Sequence, residues 1–266
     1  MIDDKLFKNN VNISGNGIQP IVFGHGYGCD QKMWRHITPA FEKDYKIVLF
    51  DHVGSGKSDI RAYNYQKYSS LEGYAEDLIK IIVDLDLQDV VFVGHSVSSI
   101  IGVLAAGKRP DLFDKLILVG PSPCYINEDE YLGGFNKDDI DELVETLESN
   151  YLGWSSFIAP IIIGNPELPE YSEELRNSFC SMNPDIAKHF AKVTFMGDNR
   201  EDLTNVSTPT LILQSHPDMI APVTVGEFVH NKIKESKYVL LNSSGHCPHL
   251  TSPDQVISSI QSYLEN

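Results

Sequence analysis

The stretch Val90-Val91-Phe92-Val93-Gly94-His95-Ser96-Val97-Ser98-Ser99-Ile100-Ile101-Gly102-Val103-Leu104-Ala105-Ala106 decides how this chain folds. An unbroken β-branched and aromatic run meets a Gly-His-Ser-Val-Ser turn and passes directly into an apolar, helix-prone run. Strand, sharp turn and helix in that order make a nucleophile elbow: the serine at the tip is strained, its hydroxyl is exposed, and the helix N-terminus is aimed at it. Positions two before and two after the serine must be small, because bulk there collides with the neighbouring strand and helix. Gly94 obeys this rule, whereas Ser98 stands where a second glycine is usual, so the literal G-x-S-x-G pattern fails. Taken alone, the turn is equally readable as an ordinary strand-to-helix connection, and the rest of the chain must decide.

Further strand-like runs lie on both sides: Ile21-Val22-Phe23, Ile47-Val48-Leu49-Phe50, Leu116-Ile117-Leu118-Val119, Leu211-Ile212-Leu213 and Val239-Leu240-Leu241. Their continuous apolarity predicts strands covered on both faces. Between them, Leu71, Tyr74, Leu78, Ile81, Ile82 and Leu85 recur at helical spacing, as do Val256, Ile257, Ile260, Tyr263 and Leu264. Alternating strand and helix is the signature of an α/β fold with a mostly parallel sheet and helices on both faces.

The alternation stops after Gly120 and resumes near Leu211, and the intervening chain reads as helical. Ile140, Leu143, Val144, Leu147 and Tyr151 form an apolar stripe opposite an acidic face, and Asn183-Pro184 makes an N-cap and first-turn pair for a helix carrying Ile186, Phe190 and Val193. Residues 1–120 and 200–266 are therefore assigned to the sheet-bearing core and 121–199 to an inserted helical cap, within a single globular unit. Such an insertion lies over the carboxyl ends of the strands, where open α/β sheets bind ligands.

Asp218 follows the Leu211 strand through Ser215-His216-Pro217, and His246 follows the Val239 strand through Asn242-Ser243-Ser244-Gly245. Ser96, Asp218 and His246 thus occupy three post-strand loops in the order Ser, Asp, His. A serine hydroxyl is a poor nucleophile at neutral pH; it needs a base in reach, and the base needs an anion to fix its tautomer and stabilise its cation. His246 and Asp218 fit those two roles. The tetrahedral oxyanion needs backbone N–H donors, assigned to Val97 after the nucleophile and Tyr27 in the loop Gly24-His25-Gly26-Tyr27-Gly28. His25, His95 and His249 are read as local hydrogen-bonding residues. Neither the glycine-rich loop nor Gly54-Ser55-Gly56-Lys57-Ser58 completes a phosphate-binding pattern, which argues against nucleotide binding.

With 266 residues, 42% of them hydrophobic, the chain can bury a sizeable core. A formal net charge of -16 repels phosphate backbones and anionic membrane surfaces, so no nucleic-acid or membrane partner is expected. Cys29, Cys124, Cys180 and Cys247 show no paired spacing, so neither a disulfide framework nor a metal site is expected, although His246-Cys247-Pro248-His249 invites one. The opening Met1-Ile2-Asp3-Asp4 lacks the basic start and apolar stretch of a secretory signal, which predicts a cytoplasmic location.

These motifs together resemble the RsbQ-like α/β-hydrolases, a group that includes a bacterial stress regulator and the plant strigolactone and karrikin receptors. The matching stretches are Gly26-Tyr27-Gly28-Cys29-Asp30-Gln31 with Trp34, Asp51-His52-Val53-Gly54-Ser55-Gly56 with Ser58-Asp59, Gly94-His95-Ser96-Val97-Ser98, Ser122-Pro123-Cys124-Tyr125, Gly133-Gly134-Phe135 and Gly245-His246-Cys247-Pro248-His249. The resemblance implies an α/β-hydrolase fold, a catalytic Ser96-Asp218-His246 triad, no cofactor, and a four-helix V-shaped cap over an apolar pocket lined by Tyr27, Phe135, Phe157, Val193 and Phe195. Tyr27 stands where an RsbQ-like protein usually has phenylalanine, so its hydroxyl is expected to narrow or polarise the pocket. Two functions are implied: hydrolysis of a small, largely apolar ester or lactone, or ligand-dependent signalling to a partner such as a PAS-containing phosphatase. Dehalogenase chemistry on this fold needs an aspartate at the elbow, and Ser96 stands there instead.

Overall fold

The computed structural model describes residues 4–265. The opening residues 1–3, on which part of the leader reading rests, lie outside this range. The described chain runs α1 (Asp4–Phe7), β1 (Asn12–Ser14), β2 (Pro20–Gly24), β3 (Lys46–Leu49), α2 (Glu72–Asp84), β4 (Val90–His95), α3 (Val97–Lys108) and β5 (Phe113–Val119). It continues through α4 (Lys137–Ser149), α5 (Tyr151–Ile163), α6 (Pro169–Ser181), α7 (Pro184–Phe195), β6 (Thr210–Ser215), α8 (Val223–Lys232), β7 (Ser236–Leu241), α9 (Pro248–Thr251) and α10 (Pro253–Leu264). The seven strands form one sheet in the order β1-β3-β2-β4-β5-β6-β7, parallel except for β1. Among the described residues no helix is long and apolar enough to cross a membrane.

The period of two along each strand explains the two cores. Val22, Phe92, Leu116, Leu118 and Ile212 enter one apolar cluster with α2 and α3, while Ile21, Phe23, Val91, Val93, Ile117, Val119, Leu211 and Leu213 enter another with Trp34 and α10. At β7 the expectation of cover on both faces fails: this is an edge strand, and Leu240 is half exposed. Strand β1 carries no apolar run, and all three of its residues are exposed. It exists only because it pairs with β3 across Asn12 to Ser14.

Helices α4 to α7 lie between β5 and β6 in the chain. Residues 121–136, read from sequence as part of the helical insertion, form an irregular loop with isolated bridges at Ile126 and Phe135 and at Glu128 and Tyr131. The apolar stripe is also split, because Asn150 leaves helical geometry and caps α5 by accepting from the Gly153 N–H; Tyr151 therefore opens a new helix. Asn183 caps α7 as its sequence predicts, its side-chain oxygen accepting from the N–H groups of Asp185 and Ile186.

Phe190 of α7 anchors this layer to the core. It is fully buried, stacks on Tyr74 at 4.5 Å and meets Tyr27 and His52 edge-on. Phe190→Ala is expected to cost about 3–5 kcal/mol, because it removes a ring shared by cap, sheet loop and α2. Urea unfolding measures this directly, and a loss under about 1 kcal/mol would mean the cap is held elsewhere.

Candidate active site

Ser96 sits between β4 and α3 at φ 55° and ψ −120°, a conformation that costs a non-glycine residue energy and that the surrounding structure must impose. The imposition is visible: the Ser96 N–H donates to the Val119 carbonyl at 2.8 Å, and a Cβ on Gly94 would come within 2.6 Å of the Ser98 backbone. Ser98 is tolerated because Gly24, on the adjacent strand, leaves the space; a Cβ there would lie 2.9 Å from the Ser98 hydroxyl.

The structure brings Ser96, His246 and Asp218 together. His246 Nε2 is 2.8 Å from Ser96 Oγ, and His246 Nδ1 is 2.8 Å from Asp218 Oδ2. Asp218 Oδ1 accepts from the N–H groups of Ile220 and Ala221 at 2.8 and 3.1 Å, which fixes the carboxylate plane and satisfies its second oxygen. All three side chains are buried, where water does not weaken the two hydrogen bonds that join them. The His246 main chain is held as well: its N–H donates to Ile162 of α5, and its carbonyl accepts from His95 Nε2 at 2.8 Å. Gly245 must be glycine for this, since its φ is +85° and a Cβ would strike the Ile163 carbonyl.

A cavity of about 30 Å³ lies over Ser96. Tyr27, Phe135 and Phe195 line it. Two expected lining residues do not. Phe157 is 69% exposed and borders an outer groove of about 430 Å³ with Met219, because α5 turns Ile158 and Ile162 inward instead. Val193 borders a separate surface depression beside Ser69 and Lys192, while Thr194 and Phe195 of the same helix face the cavity. The Tyr27 hydroxyl does not polarise the cavity either: it donates to the Ala187 carbonyl of α7 at 2.9 Å.

Tyr125 was missed by the sequence reading. Its phenol is buried at the cavity wall, burial pushes its pKa up to about 12, and the neighbouring Ser96 hydroxyl opposes that rise. The available signal was its place in Ser122-Pro123-Cys124-Tyr125, just past the carboxyl end of β5.

His25 and His95 are hydrogen-bonded as expected, but His249 is not. Neither of its ring nitrogens meets a hydrogen-bond partner among the described residues, and it packs its ring against His95 and Trp34. His95, Cys247 and His249 could hold a metal ion, their donor atoms lying within 4.8 Å of one another. Burial of the trio favours neutral forms: it pulls both imidazoles below their ordinary range and pushes the Cys247 thiol well up, opposing the thiolate that a metal needs.

Residues 19–156 match the alpha/beta hydrolase fold family. The chain is 40% identical over 259 residues to a karrikin insensitive 2 receptor of Petunia hybrida, covering 97% of this chain and 96% of that protein. It is 34% identical to a strigolactone esterase of Pisum sativum, with 95% of each chain covered. A solved hydrolase from Oleispira antarctica superimposes with a TM-score of 0.97 at 41% identity, covering 99% of this chain and 97% of that one. An esterase from Exiguobacterium antarcticum, 24% identical with a TM-score of 0.88 and covering 96% and 95% of the two chains, shares the fold. By its sheet, its hydrogen-bonded triad and these relatives, the chain belongs to the alpha/beta hydrolase family, as a hydrolase-type enzyme.

Proposed function

We propose that this protein cleaves a small, largely apolar ester or lactone through an acyl-enzyme on Ser96, in the manner of RsbQ-like hydrolases and the strigolactone and karrikin receptors. The observation that carries the reading is the unbroken hydrogen-bonded line from Asp218 through His246 to Ser96, ending in an apolar cavity. His246 accepts the Ser96 proton as the hydroxyl attacks the carbonyl carbon, and Asp218 stabilises the imidazolium. The oxyanion is held by the N–H of Val97 and the N–H of Tyr27. Val97 is the first residue of α3, so its N–H has no partner inside the helix. The imidazolium then protonates the leaving oxygen, and water attacks the acyl-serine with His246 again as base.

The restricted cavity and its apolar walls favour a small acyl group. Purified protein is expected to take one fluorophosphonate label, on Ser96, and to hydrolyse p-nitrophenyl acetate faster than the octanoate. A preference for octanoate would overturn the small-substrate reading, and absence of both labelling and turnover would overturn the hydrolase reading.

A second reading is signalling: turnover registers a ligand, and the output is contact with a partner such as a PAS-containing phosphatase. It is favoured by the likeness to a karrikin receptor over nearly the whole chain. Ligand-dependent copurification of such a sensor protein is the expected result; identical complexes formed by wild type and the Ser96→Ala variant, with and without ester, would count against a role for hydrolysis in the signal.

A further inference from the structure

We infer that Ser98 is a positioning residue for the oxyanion-binding loop, acting through His25 and His52; this rests on the assignment of the Tyr27 N–H as an oxyanion donor. The inference starts from the departure at the elbow, where a hydroxyl replaces the usual glycine. Ser98 Oγ lies 2.5 Å from the His25 carbonyl and 2.7 Å from His52 Nε2. A carbonyl can only accept, so the Ser98 proton goes to His25, and the same oxygen must then accept from His52 Nε2–H. The second histidine is fixed in the same way. His25 Nδ1 lies 2.8 Å from the Gly26 carbonyl and donates to it, which leaves His25 Nε2 to accept the His52 backbone N–H at 3.1 Å. Ser98, His25 and His52 are all at most 1% exposed, so no water competes for these bonds, and burial pulls both imidazoles below their ordinary range and keeps them neutral.

The consequence lies in the peptide planes. Gly26 C=O and Tyr27 N–H belong to one planar trans peptide and point in opposite directions. Holding the Gly26 carbonyl with His25 Nδ1–H, and also with the Cys29 N–H at 3.3 Å, sets the direction of the Tyr27 N–H. The His25 ring that does this is itself held by the His52 N–H, and the His25 carbonyl is held by Ser98. Ser98 is the residue after Val97, so one side chain ties the helix that carries one oxyanion donor to the loop that carries the other. A glycine at position 98 keeps the elbow but cannot make this tie.

Ser98→Ala and Ser98→Gly are therefore expected to lower kcat for p-nitrophenyl acetate about tenfold, with KM moving less than twofold, since the donor acts on the transition state. The Ki of a trifluoromethyl ketone, which forms a tetrahedral oxyanion on serine, should weaken in parallel with kcat/KM. His52→Phe removes only the Nε2–H bond to Ser98 Oγ and keeps both the Ser98–His25 bond and the backbone N–H at position 52, so its loss of kcat should be smaller than that of Ser98→Ala and should not add to it. A folded Ser98→Ala variant whose kcat and Ki lie within twofold of wild type overturns the proposal, whatever its melting temperature, because a purely structural hydroxyl moves only stability. Nitrogen-15 NMR of the wild type gives an independent check that needs no variant: His25 protonated on Nδ1 and His52 on Nε2 is the expected pair, and any other pair of tautomers overturns the proposal. If the wild type neither labels nor turns over, the hydrolase reading fails; if it does both and the Ser98 variants match it, this inference alone fails.

Discussion

Replacing Ser96 by alanine is expected to lower kcat for p-nitrophenyl acetate by about 10⁴-fold or more and to abolish fluorophosphonate labelling, while leaving the fold intact. The size follows from what the hydroxyl does. It is the atom that bonds to the substrate carbonyl, and with it gone no acyl-enzyme can form and His246 can only activate water directly. Alanine keeps the small side chain that the elbow requires and leaves the Asp218–His246 bond and the Gly94 contact in place. Far-ultraviolet circular dichroism should therefore match wild type. Turnover within tenfold of wild type in a folded variant would remove Ser96 from the mechanism and with it the acyl-enzyme.

Stability is expected to fall as pH drops below about 6.5, and the cause is the set of buried histidines. Burial is the largest cause of the lowered pKa at each of His25, His52, His95 and His249, and His249 falls to about 3. In the unfolded chain each of these imidazoles takes up a proton near its ordinary value of 6.5, whereas the folded protein keeps it neutral to lower pH. Below about pH 6.5 the unfolded state therefore binds more protons, so stability is present above that value and is lost as pH falls. Each group contributes a slope of about 1.4 kcal/mol per pH unit once the solution is below its unfolded and above its folded value. His249 supplies such a slope across this whole window, and His25, His52 and His95 act in the same direction. Carboxylates with lowered values, such as Asp198 held by Arg200, act in a lower window below their ordinary 3.8 and do not offset this loss. Urea unfolding at pH 7.5, 6 and 5 tests the claim; equal stability at 7.5 and 5 would refute it, and His249→Phe should flatten the slope by about one proton.

Much of the fold was legible because its signals are local. The elbow, the paired apolar clusters on the two sheet faces and the α7 cap at Asn183 all follow from residues within a few positions of one another. Strand β1 was not legible, since nothing in Asn12-Ile13-Ser14 except its pairing with β3 makes it a strand. In the cap, the sequence distinguished an apolar face but not its aim. Phe157 and Ile158 are both apolar neighbours on α5, and one helical step of about 100° separates the exposed ring from the cavity wall.

By itself the sequence determined that the chain forms a mostly parallel α/β sheet with a helical insertion, and that Ser96, Asp218 and His246 lie in three post-strand loops in that order. Those features depend on apolar period, on turn chemistry and on order along the chain, which short stretches encode. Only the tertiary structure decided that the Tyr27 hydroxyl is bound to Ala187, 160 residues away, that Ser98 bonds the His25 carbonyl in the loop before Tyr27, and that the His249 ring meets Trp34 and His95 and no hydrogen-bond partner among the described residues. Each of those outcomes depends on which atom of a distant segment reaches a buried polar group first, and no local pattern carries that information.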